Sequence, residues 1–310
     1  EGIVDELSTE TRLVFGPSKD GARIESDKSY AKELMRQASI PTADARSFTD
    51  IHSARHFLLR GLDREFENEN LKELSEEVSQ YMDFCNCTDQ QGNFQISNEL
   101  QSFLDQREEP FVVKASGLAA GKGVIVCKTI GEALKAIDHV MEDMAFGEAG
   151  STVLIKEFMT GQEVSVLALV DGGTIWVLDL CQDHKQVGEG DVGPNTGGMG
   201  TYSDANHSLP FLNEEDINIA HSINIATANA LKDKFGEGYK GVLYGGFIAT
   251  GTGVKLIEYN ARLGDPEAMN VLPLLDSCFI DICNGIVDGN LSRVDVQFKA
   301  KATVCKYAVP

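Results

Sequence analysis

The sequence has few basic residues for its length and no long apolar run. Its 310 residues include 27 lysines and arginines against 48 aspartates and glutamates, a formal net charge of -21 at pH 7. Nucleic acids and anionic membranes attract clusters of lysine and arginine, so this charge argues against both as main partners. It leaves nucleotides open, because a nucleotide pocket needs only a few local cations and backbone amides. No apolar stretch reaches the length of a membrane-spanning helix, and no signal peptide is recognisable.

The cysteines are few and scattered. There are seven, an odd number, and the only close pair, Cys85 and Cys87, is spaced too tightly for a usual zinc half-site. This pattern indicates reduced thiols and predicts a cytoplasmic protein. The chain begins without Met inside a helical pattern (Ile3, Val4, Leu7) and stops just after a strand pattern. We therefore expect an internal portion of a longer protein.

One stretch combines residue types that bind a metal and a phosphate. Residues 254–260 have a strand pattern, and because side chains on a strand repeat every second residue, Glu258, Asn260 and Arg262 are expected on one face. Carboxylate and amide oxygens suit a hard cation such as Mg²⁺, while a guanidinium neutralises a transferring phosphoryl group. Residues 265–267 then have the signals of a helix start, which predicts that the polar face lies at the lip of a cleft. A charged edge strand with an Arg–Glu pair is the competing interpretation.

A second stretch has the composition of a phosphate cover. Lys114 ends a buried-strand pattern, and another strand pattern follows a loop that contains Gly117, Gly121, Lys122 and Gly123. Strand, turn and strand predict a hairpin, and the spacing of a Walker loop is absent. Successive backbone amides in such a loop bind anions, and the lysines add positive charge. A hairpin without a function is the alternative.

Three further segments are informative. Lys28 lies in the first turn of a predicted helix, where a positive charge is unfavourable with respect to the helix dipole unless it binds an anion. An anion-binding lysine and a solvated lysine are equal alternatives here. Residues from about 62 to 109 are acidic with helical periodicity and predict an acidic helical insertion or a mobile surface segment. Residues 182–200 are too polar for a core element and too rich in functional side chains for a linker, which favours a binding loop. Within it, His184 is expected to be a positioning or surface residue more often than a catalytic base.

Together these features resemble the ATP-grasp superfamily of carboxylate–amine ligases. The resemblance rests on the order of Lys28, the Lys-Ala-Ser-Gly hairpin, a Glu-Phe-Met segment and E-x-N-x-R. Within the superfamily, the run Arg262-Leu-Gly-Asp-Pro-Glu-Ala-Met269 is similar to the signature of phosphoribosylamine–glycine ligases (glycinamide ribonucleotide synthetases). Four further stretches match that family: 114–124, 145–150, 182–185 and 193–200. The match covers nearly the whole chain.

The resemblance implies an α/β (α+β) ATP-grasp fold in which ATP is held between a larger α/β subdomain and a small antiparallel lid. The implied boundaries are 1–17 for the end of an N-terminal domain, 18–110 and 177–292 for the large subdomain, 111–176 for the lid and 293–310 for the start of a C-terminal domain. The chain would lack most of the N- and C-terminal domains. The connection between Phe48 and Phe111 is longer than is usual in the family.

Residue roles follow from the same resemblance. ATP would be bound by Lys28, Lys114, Gly117, Gly121, Lys122, Gly123, Glu157, Phe158 and Glu163. Mg²⁺ or Mn²⁺ would be bound by Glu258 and Asn260, and Arg262 would be catalytic. The substrate pocket would be formed by Asp183, Lys185, Asn195, Thr196, Gly197, Gly198, Met199, Asp265 and Glu267.

The implied reaction is the ATP-dependent ligation of glycine to 5-phosphoribosylamine through glycyl phosphate, in purine biosynthesis. The implied partners are these small molecules, and the protein would be a monomer or part of a larger multidomain polypeptide. Two alternatives stay open at this point. One is another ATP-grasp ligase, such as a biotin-dependent carboxylase or a carbamoyl-phosphate synthetase. The other is a nucleotide-binding module that has lost turnover.

Overall fold

The chain divides into two compact units, which are described separately. The structure is a computed structural model that describes residues 2–60, 62, 72–87, 94–119, 123–190, 192–236 and 238–308, with Pro194 and Asn195 as backbone only. The large unit contains Glu1–Ala43 and Met159–Pro310, and the small unit contains Asp44–Phe158. In the described part of the chain, no helix is both long and apolar enough to cross a membrane.

Helices and antiparallel strands make up both units. The α-helices are α1 (Ile3–Leu7), α2 (Lys19–Ser26), α3 (Lys28–Gln37), α4 (Ile51–Leu59), α5 (Lys72–Asn86), α6 (Asn98–Gln106), α7 (Ile130–Ile137), α8 (Glu214–Phe235), α9 (Ala268–Val271) and α10 (Phe279–Val287). The strands are β1 (Ala45–Phe48), β2 (Glu108–Ala115), β3 (Val124–Thr129), β4 (Val153–Glu157), β5 (Gln162–Asp171), β6 (Ile175–Gly188), β7 (Val192–Ser203), β8 (Lys240–Thr250), β9 (Gly253–Asn260) and β10 (Thr303–Lys306).

The large unit is built on a six-stranded antiparallel sheet in the order β10-β7-β6-β5-β8-β9. Its central strand β5 is apolar on both faces, so it packs against helices on both sides. Val164, Val166 and Ala168 face a core that includes residues of α3 and α8. Leu167 and Leu169 face a second core with residues of α10. The period of two along β5 therefore separates two hydrophobic cores.

A bulge in β9 decides which side chains leave the core. Val254 and Leu256 are buried in the same core as Tyr259, although strict alternation would put Tyr259 on the opposite face. The pairing with β8 shifts between Gly246 and Phe247, which adds one residue to β9 and reverses its alternation. Glu258 and Asn260 are thereby turned away from this core.

The small unit is a four-stranded antiparallel sheet in the order β1-β4-β2-β3, packed against helices α4 to α7. The described part of the acidic segment contributes buried residues to this core, whereas a surface segment was expected. Val78 of α5 and Leu100 and Leu104 of α6 are fully buried in it. Acidic side chains cover the outer faces of these helices, which is why the composition alone suggested a surface segment.

Two other sequence-based expectations differ from the structure. The small unit ends at Phe158, whereas the lid was predicted over residues 111–176; β5 pairs with β8 and so joins the six-stranded sheet. Residues 182–200 form the hairpin β6–β7 instead of a loop, because backbone pairing needs no apolar side chains. The hairpin predicted around the glycine-rich loop is confirmed as β2–β3, and β5–β6 and β8–β9 are also antiparallel hairpins.

Candidate functional site

Polar side chains gather on one face of the six-stranded sheet, which we call the polar face. It comprises Glu163 and Ser165 of β5, Asp183 and Lys185 of β6, Tyr244 and Gly246 of β8, and Glu258 and Asn260 of β9. The strand register brings them together: Ser165 lies opposite Gly246, and Gly246 lies opposite Glu258. Tyr244 lies opposite Asn260. Of the predicted residues, the large unit thus collects the metal pair and several substrate residues on one surface.

Glu258 and Asn260 have the oxygen donors that a divalent cation requires. Both project from the face opposite Tyr259, and Gly246 beside them carries no side chain. Within the described ranges, no three His, Cys, Asp or Glu side chains form a metal cluster. Mg²⁺ is commonly held by one or two protein oxygens, with phosphate and water completing the octahedron. The pair therefore fits a cation that is bound together with a phosphate-bearing substrate.

Arg262 is held at the end of β9 by three hydrogen bonds. Its Nε donates to Glu25 Oε1 (3.0 Å), its Nη1 to the Leu263 carbonyl (3.1 Å) and its Nη2 to Asn260 Oδ1 (3.2 Å). The amide oxygen of Asn260 keeps a second lone pair for a metal. Arg262 therefore forms an ion pair, but its partner is Glu25 of α2, and neither residue belongs to the edge strand β9. Sequence reasoning missed Glu25, because no local signal connects it with a residue 237 positions away.

Glu163 and Lys185 form an ion pair across β5 and β6. Lys185 Nζ lies 3.0 Å from Glu163 Oε2. Burial by itself lowers the pKa of Lys185, but the negative charges of Glu163 and, less strongly, Glu258, together with the hydrogen bond to Glu163, raise it above its usual value. Lys185 therefore stays protonated at neutral pH. The structure joins a residue predicted for ATP with one predicted for the substrate pocket.

Two acidic side chains are buried next to this ion pair. Glu267 is only 1% exposed, and its Oε1 accepts hydrogen bonds from Ser165 Oγ (2.6 Å) and Tyr244 OH (2.7 Å). Burial, and then the charge of Glu267, raise the pKa of Asp183 to about 7. Asp183 Oδ1 is buried and accepts no hydrogen bond from the described residues. Ser165 and Tyr244 are site residues that the sequence did not reveal, since both read as ordinary strand positions.

The segment 195–199 lies along β7 beside these acids. Thr196 Oγ1 donates to the Lys185 carbonyl (2.7 Å) and accepts from Gly198 N–H (3.1 Å). Gly198 has φ +130°, and a Cβ there would lie 2.7 Å from Pro266 Cδ and 3.0 Å from Asp183 Oδ1. Only glycine fits this close approach. The contact brings two predicted stretches, 195–199 and 265–267, together.

The remaining residues predicted for the substrate pocket are Asn195, Gly197, Met199 and Asp265. Gly197 faces open space, and the side chain of Asn195 lies outside the described residues. The Met199 carbonyl accepts from Tyr307 N–H (3.0 Å), and Asp265 Oδ1 accepts from the Tyr307 hydroxyl. Asp265 thus binds a tyrosine of the following segment instead of capping α9, whose N-cap position is taken by Glu267.

In the small unit, the described part of the glycine-rich hairpin is tightly packed. Lys114 is buried near the end of β2, opposite Val124 of β3. Gly117 N–H donates to the Ala149 carbonyl (3.2 Å), and a Cβ on Gly117 would lie 2.8 Å from Ala149 Cα. A Cβ on Gly123 would lie 2.7 Å from Ala119 Cβ. Gly121 and Lys122 lie outside the described residues.

The other predicted nucleotide residues lie at element ends. Glu157 is the last residue of β4; its backbone N–H donates to the Asp44 carbonyl, and its Oε2 accepts from the Asp44 N–H (3.3 Å). Phe158 follows it and is 39% exposed. In the large unit, Lys28 is the first residue of α3, directly after Asp27, whose Oδ1 caps the helix by accepting from Tyr30 N–H (2.9 Å). Glu157 and Phe158 are exposed, and Lys28 is half-buried.

Comparison with known proteins gives a consistent assignment. Residues 78–268 match the model of the phosphoribosylglycinamide synthetase ATP-grasp (A) domain. The phosphoribosylamine–glycine ligase of Methanocella arvoryzae is 38% identical over 309 residues, which cover 100% of this chain and 60% of that protein. The trifunctional purine biosynthetic protein adenosine-3 of Drosophila pseudoobscura pseudoobscura is 34% identical over 304 residues, 96% of this chain and 18% of that protein.

A solved structure supports the same grouping. The crystal structure of phosphoribosylamine–glycine ligase from Thermotoga maritima superposes with a TM-score of 0.66 at 27% identity, covering 97% of this chain and 63% of that one. The chain spans about 60% of the length of the curated single-function relatives it matches. The sequence-based resemblance and the ATP-grasp fold class are thereby confirmed.

Proposed function

Since the chain belongs to the phosphoribosylglycinamide synthetase family of ATP-grasp proteins, we propose that the full-length protein ligates glycine to 5-phosphoribosylamine at the expense of ATP. The observation that carries the proposal is the polar face. It brings the oxygen donors Glu258 and Asn260, the guanidinium of Arg262 and the buried acids Asp183 and Glu267 together. The products would be glycinamide ribonucleotide, ADP and phosphate.

The first chemical step is phosphoryl transfer from ATP to glycine. A carboxylate is a poor electrophile, so an oxygen of glycine attacks the γ-phosphorus of ATP and ADP leaves, which yields glycyl phosphate. The protein acts by positioning and by neutralising charge. We assign Arg262 to the transferring phosphoryl group, because its exposed guanidinium is hydrogen-bonded to Asn260, one of the two residues assigned to the cation. Lys28, Lys114 and the loop of Gly117–Gly123 are assigned to the ATP phosphates, and Glu157 and Phe158 to the adenine.

A divalent cation is assigned to Glu258 and Asn260. Such a cation would neutralise the charge of the phosphate oxygens when it is bound. The hard oxygen donors favour Mg²⁺ or Mn²⁺ over softer metals. Asn260 has a second task in this arrangement, since the same Oδ1 accepts from Arg262 Nη2. One amide thus orients the guanidinium relative to the cation site.

The second step is attack of the amine of phosphoribosylamine on the acyl carbon of glycyl phosphate, with loss of phosphate and a proton. Asp183 and Lys185 of β6, the segment 195–199 of β7 and the loop of Asp265 and Glu267 are assigned to these substrates. Lys185 provides a fixed positive charge, held by Glu163 at 3.0 Å. The acids Asp183 and Glu267 provide acceptors for the amino groups of the substrates. Assignment of Glu163 to the ribose of ATP stays a prediction, as does the cytoplasmic location.

The test is ADP release by the full-length protein with Mg-ATP, glycine and freshly generated phosphoribosylamine, beside a Glu258→Ala variant. We expect release that requires both co-substrates and falls by about 100-fold or more in the variant, because a ligand of the cation is lost. Glu189→Gln, an exposed acid of the β6–β7 hairpin, serves as the control with unchanged release.

Other outcomes would redirect the proposal. Release that does not need glycine would indicate another ATP-grasp substrate, as in a carboxylase. Binding of Mg-ATP without any release would indicate a nucleotide-binding module without turnover. Either result contradicts the ligase assignment.

A further inference from the structure

We propose that Glu25 is a positioning residue, which orients Arg262 for contact with the transferring phosphoryl group. The inference rests on the proposed function and adds to it a residue that lies outside every motif described above. Glu25 is on α2, and Arg262 follows the end of β9.

The first support is the two-point contact of a single carboxylate. Glu25 Oε2 accepts from the backbone N–H of Ala261 (2.8 Å), and Oε1 accepts from Arg262 Nε (3.0 Å). The first bond fixes the backbone where the chain leaves the sheet, and the second fixes the side chain one residue later. A hydrogen bond to Nε also sets the orientation of the planar guanidinium, because Nε lies in its plane.

The second support is the set of donors that this contact leaves available. A guanidinium has five N–H donors. Three of them are used by Glu25, Leu263 and Asn260, and the other two, one on each Nη, have no acceptor among the described residues. The Arg262 side chain is 54% exposed, so these two donors are accessible. All N–H groups of a guanidinium lie in one plane, so the donors left on Nη1 and Nη2 can bind oxygens of a phosphoryl group.

The third support is the position of Glu25 in its own helix. It lies in the last turn of α2, where a negative charge is unfavourable with respect to the helix dipole. The helix therefore gains nothing from an acid at this position, and the favourable contacts of Glu25 are those to Ala261 and Arg262. Its carboxylate side chain is only 21% exposed, so the contact is partly shielded from water.

The experiment compares Glu25→Gln with Glu33→Gln in the full-length protein. Glutamine keeps an oxygen that accepts from Ala261 N–H but removes the charge that holds Arg262. Glu33 is the matched control. It also forms an ion pair with an arginine, Arg36 at 2.7 Å on α3, but it has no proposed role in the site. We expect kcat of Glu25→Gln to fall about 10- to 100-fold with the KM values for ATP and glycine within about 3-fold, and Glu33→Gln to match wild type.

A double-mutant cycle separates positioning from a general structural effect. If Glu25 acts through Arg262, adding Glu25→Gln to Arg262→Ala changes kcat by less than about 2-fold. A loss on that background as large as in the wild type would overturn the inference. So would a Glu25→Gln variant with wild-type kcat.

A direct readout keeps the inference testable even if the ligase assignment fails. With isotope-labelled arginine, the Nε–H signal of Arg262, assigned by its absence in Arg262→Lys, should exchange slowly with water and disappear or shift in Glu25→Gln. An unchanged signal overturns the inference. Failure of the proposed function would instead be visible in the wild type, as absence of ADP release with both co-substrates.

Discussion

Replacing Asp183 by asparagine should change how stability depends on pH. Burial and the neighbouring carboxylates raise the pKa of Asp183 from 3.8 to about 7 in the folded protein. The acids that face it are Glu267, Glu163 and Asp265, and Lys185 only partly offsets them. Between these two pKa values the folded state binds more protons than the unfolded state. The free energy of unfolding therefore falls as pH rises from about 4 to about 7.

The size of the effect follows from the two pKa values. One pH unit of difference corresponds to about 1.4 kcal/mol, so the full contribution of Asp183 is about 4 kcal/mol. Between pH 5 and pH 8, the titration of Asp183 alone should lower the free energy of unfolding of the wild type by roughly 2.5 kcal/mol. Asp183→Asn removes the titration. The difference in unfolding free energy between variant and wild type should then grow by roughly 2.5 kcal/mol in favour of the variant over this interval.

Urea unfolding of both proteins at pH 5 and pH 8 measures this difference. Comparing the same pair at two pH values cancels the pH-independent cost of exchanging a carboxylate for an amide. Glu189→Gln is the control, an exposed acid of the same hairpin, and should show an almost constant difference. An Asp183→Asn difference that is equal at pH 5 and pH 8 would refute the conclusion that burial disfavours the charged form of Asp183.

Two further predictions concern the neighbourhood of the same acid. Gly198→Ala should destabilise the protein by about 1–3 kcal/mol and raise KM for glycine, because the backbone has φ +130° and a Cβ would lie 2.7 Å from a proline ring carbon. Gly197→Ala, whose Cβ would meet no atom within 4 Å, is the control for stability alone, and equal unfolding curves of the two variants would contradict the argument. Tyr244→Phe should cost about 1–3 kcal/mol and weaken substrate binding, because buried Glu267 loses a 2.7 Å hydrogen bond. Tyr259→Phe loses buried hydrogen bonds inside the core and should reduce stability without changing KM, so a KM effect equal in both variants would show that Tyr244 has no special role.

Local signals were sufficient for much of the secondary structure. The hairpin of β2 and β3 and the connection of β8 to β9 follow from strand patterns interrupted by glycines, and the structure contains both. Helix starts also have local signals, because capping depends on residues within one helical turn. The sequence offers Ser26 or Asp27 as the cap of α3, and the structure uses Asp27; Asn213 caps α8 as its sequence predicts.

The bulge in β9 could not be predicted from the periodicity of the sequence. Strict alternation from Val254 would direct Glu258 into the core, and only pairing with β8 reveals the extra residue that turns it outward. The acidic segment was misjudged for a related reason. Composition averages over all sides of a helix, whereas burial depends on which side packs against the rest of the unit. Val78 of α5 and Leu104 of α6 are buried because they lie on the packed sides of their helices.

The sequence by itself determined the family, the class of fold and the chemical types at the site, because motifs such as E-x-N-x-R fix those residue types and their spacing along the chain. Tertiary structure decided which partners those side chains have. Glu25 reaches Arg262 across 237 positions, and Ser165 reaches Glu267 across 102. Such contacts depend on strand order and on helix packing, and these arise from the burial of apolar surface by the whole unit. These contacts therefore cannot be predicted from the local sequence.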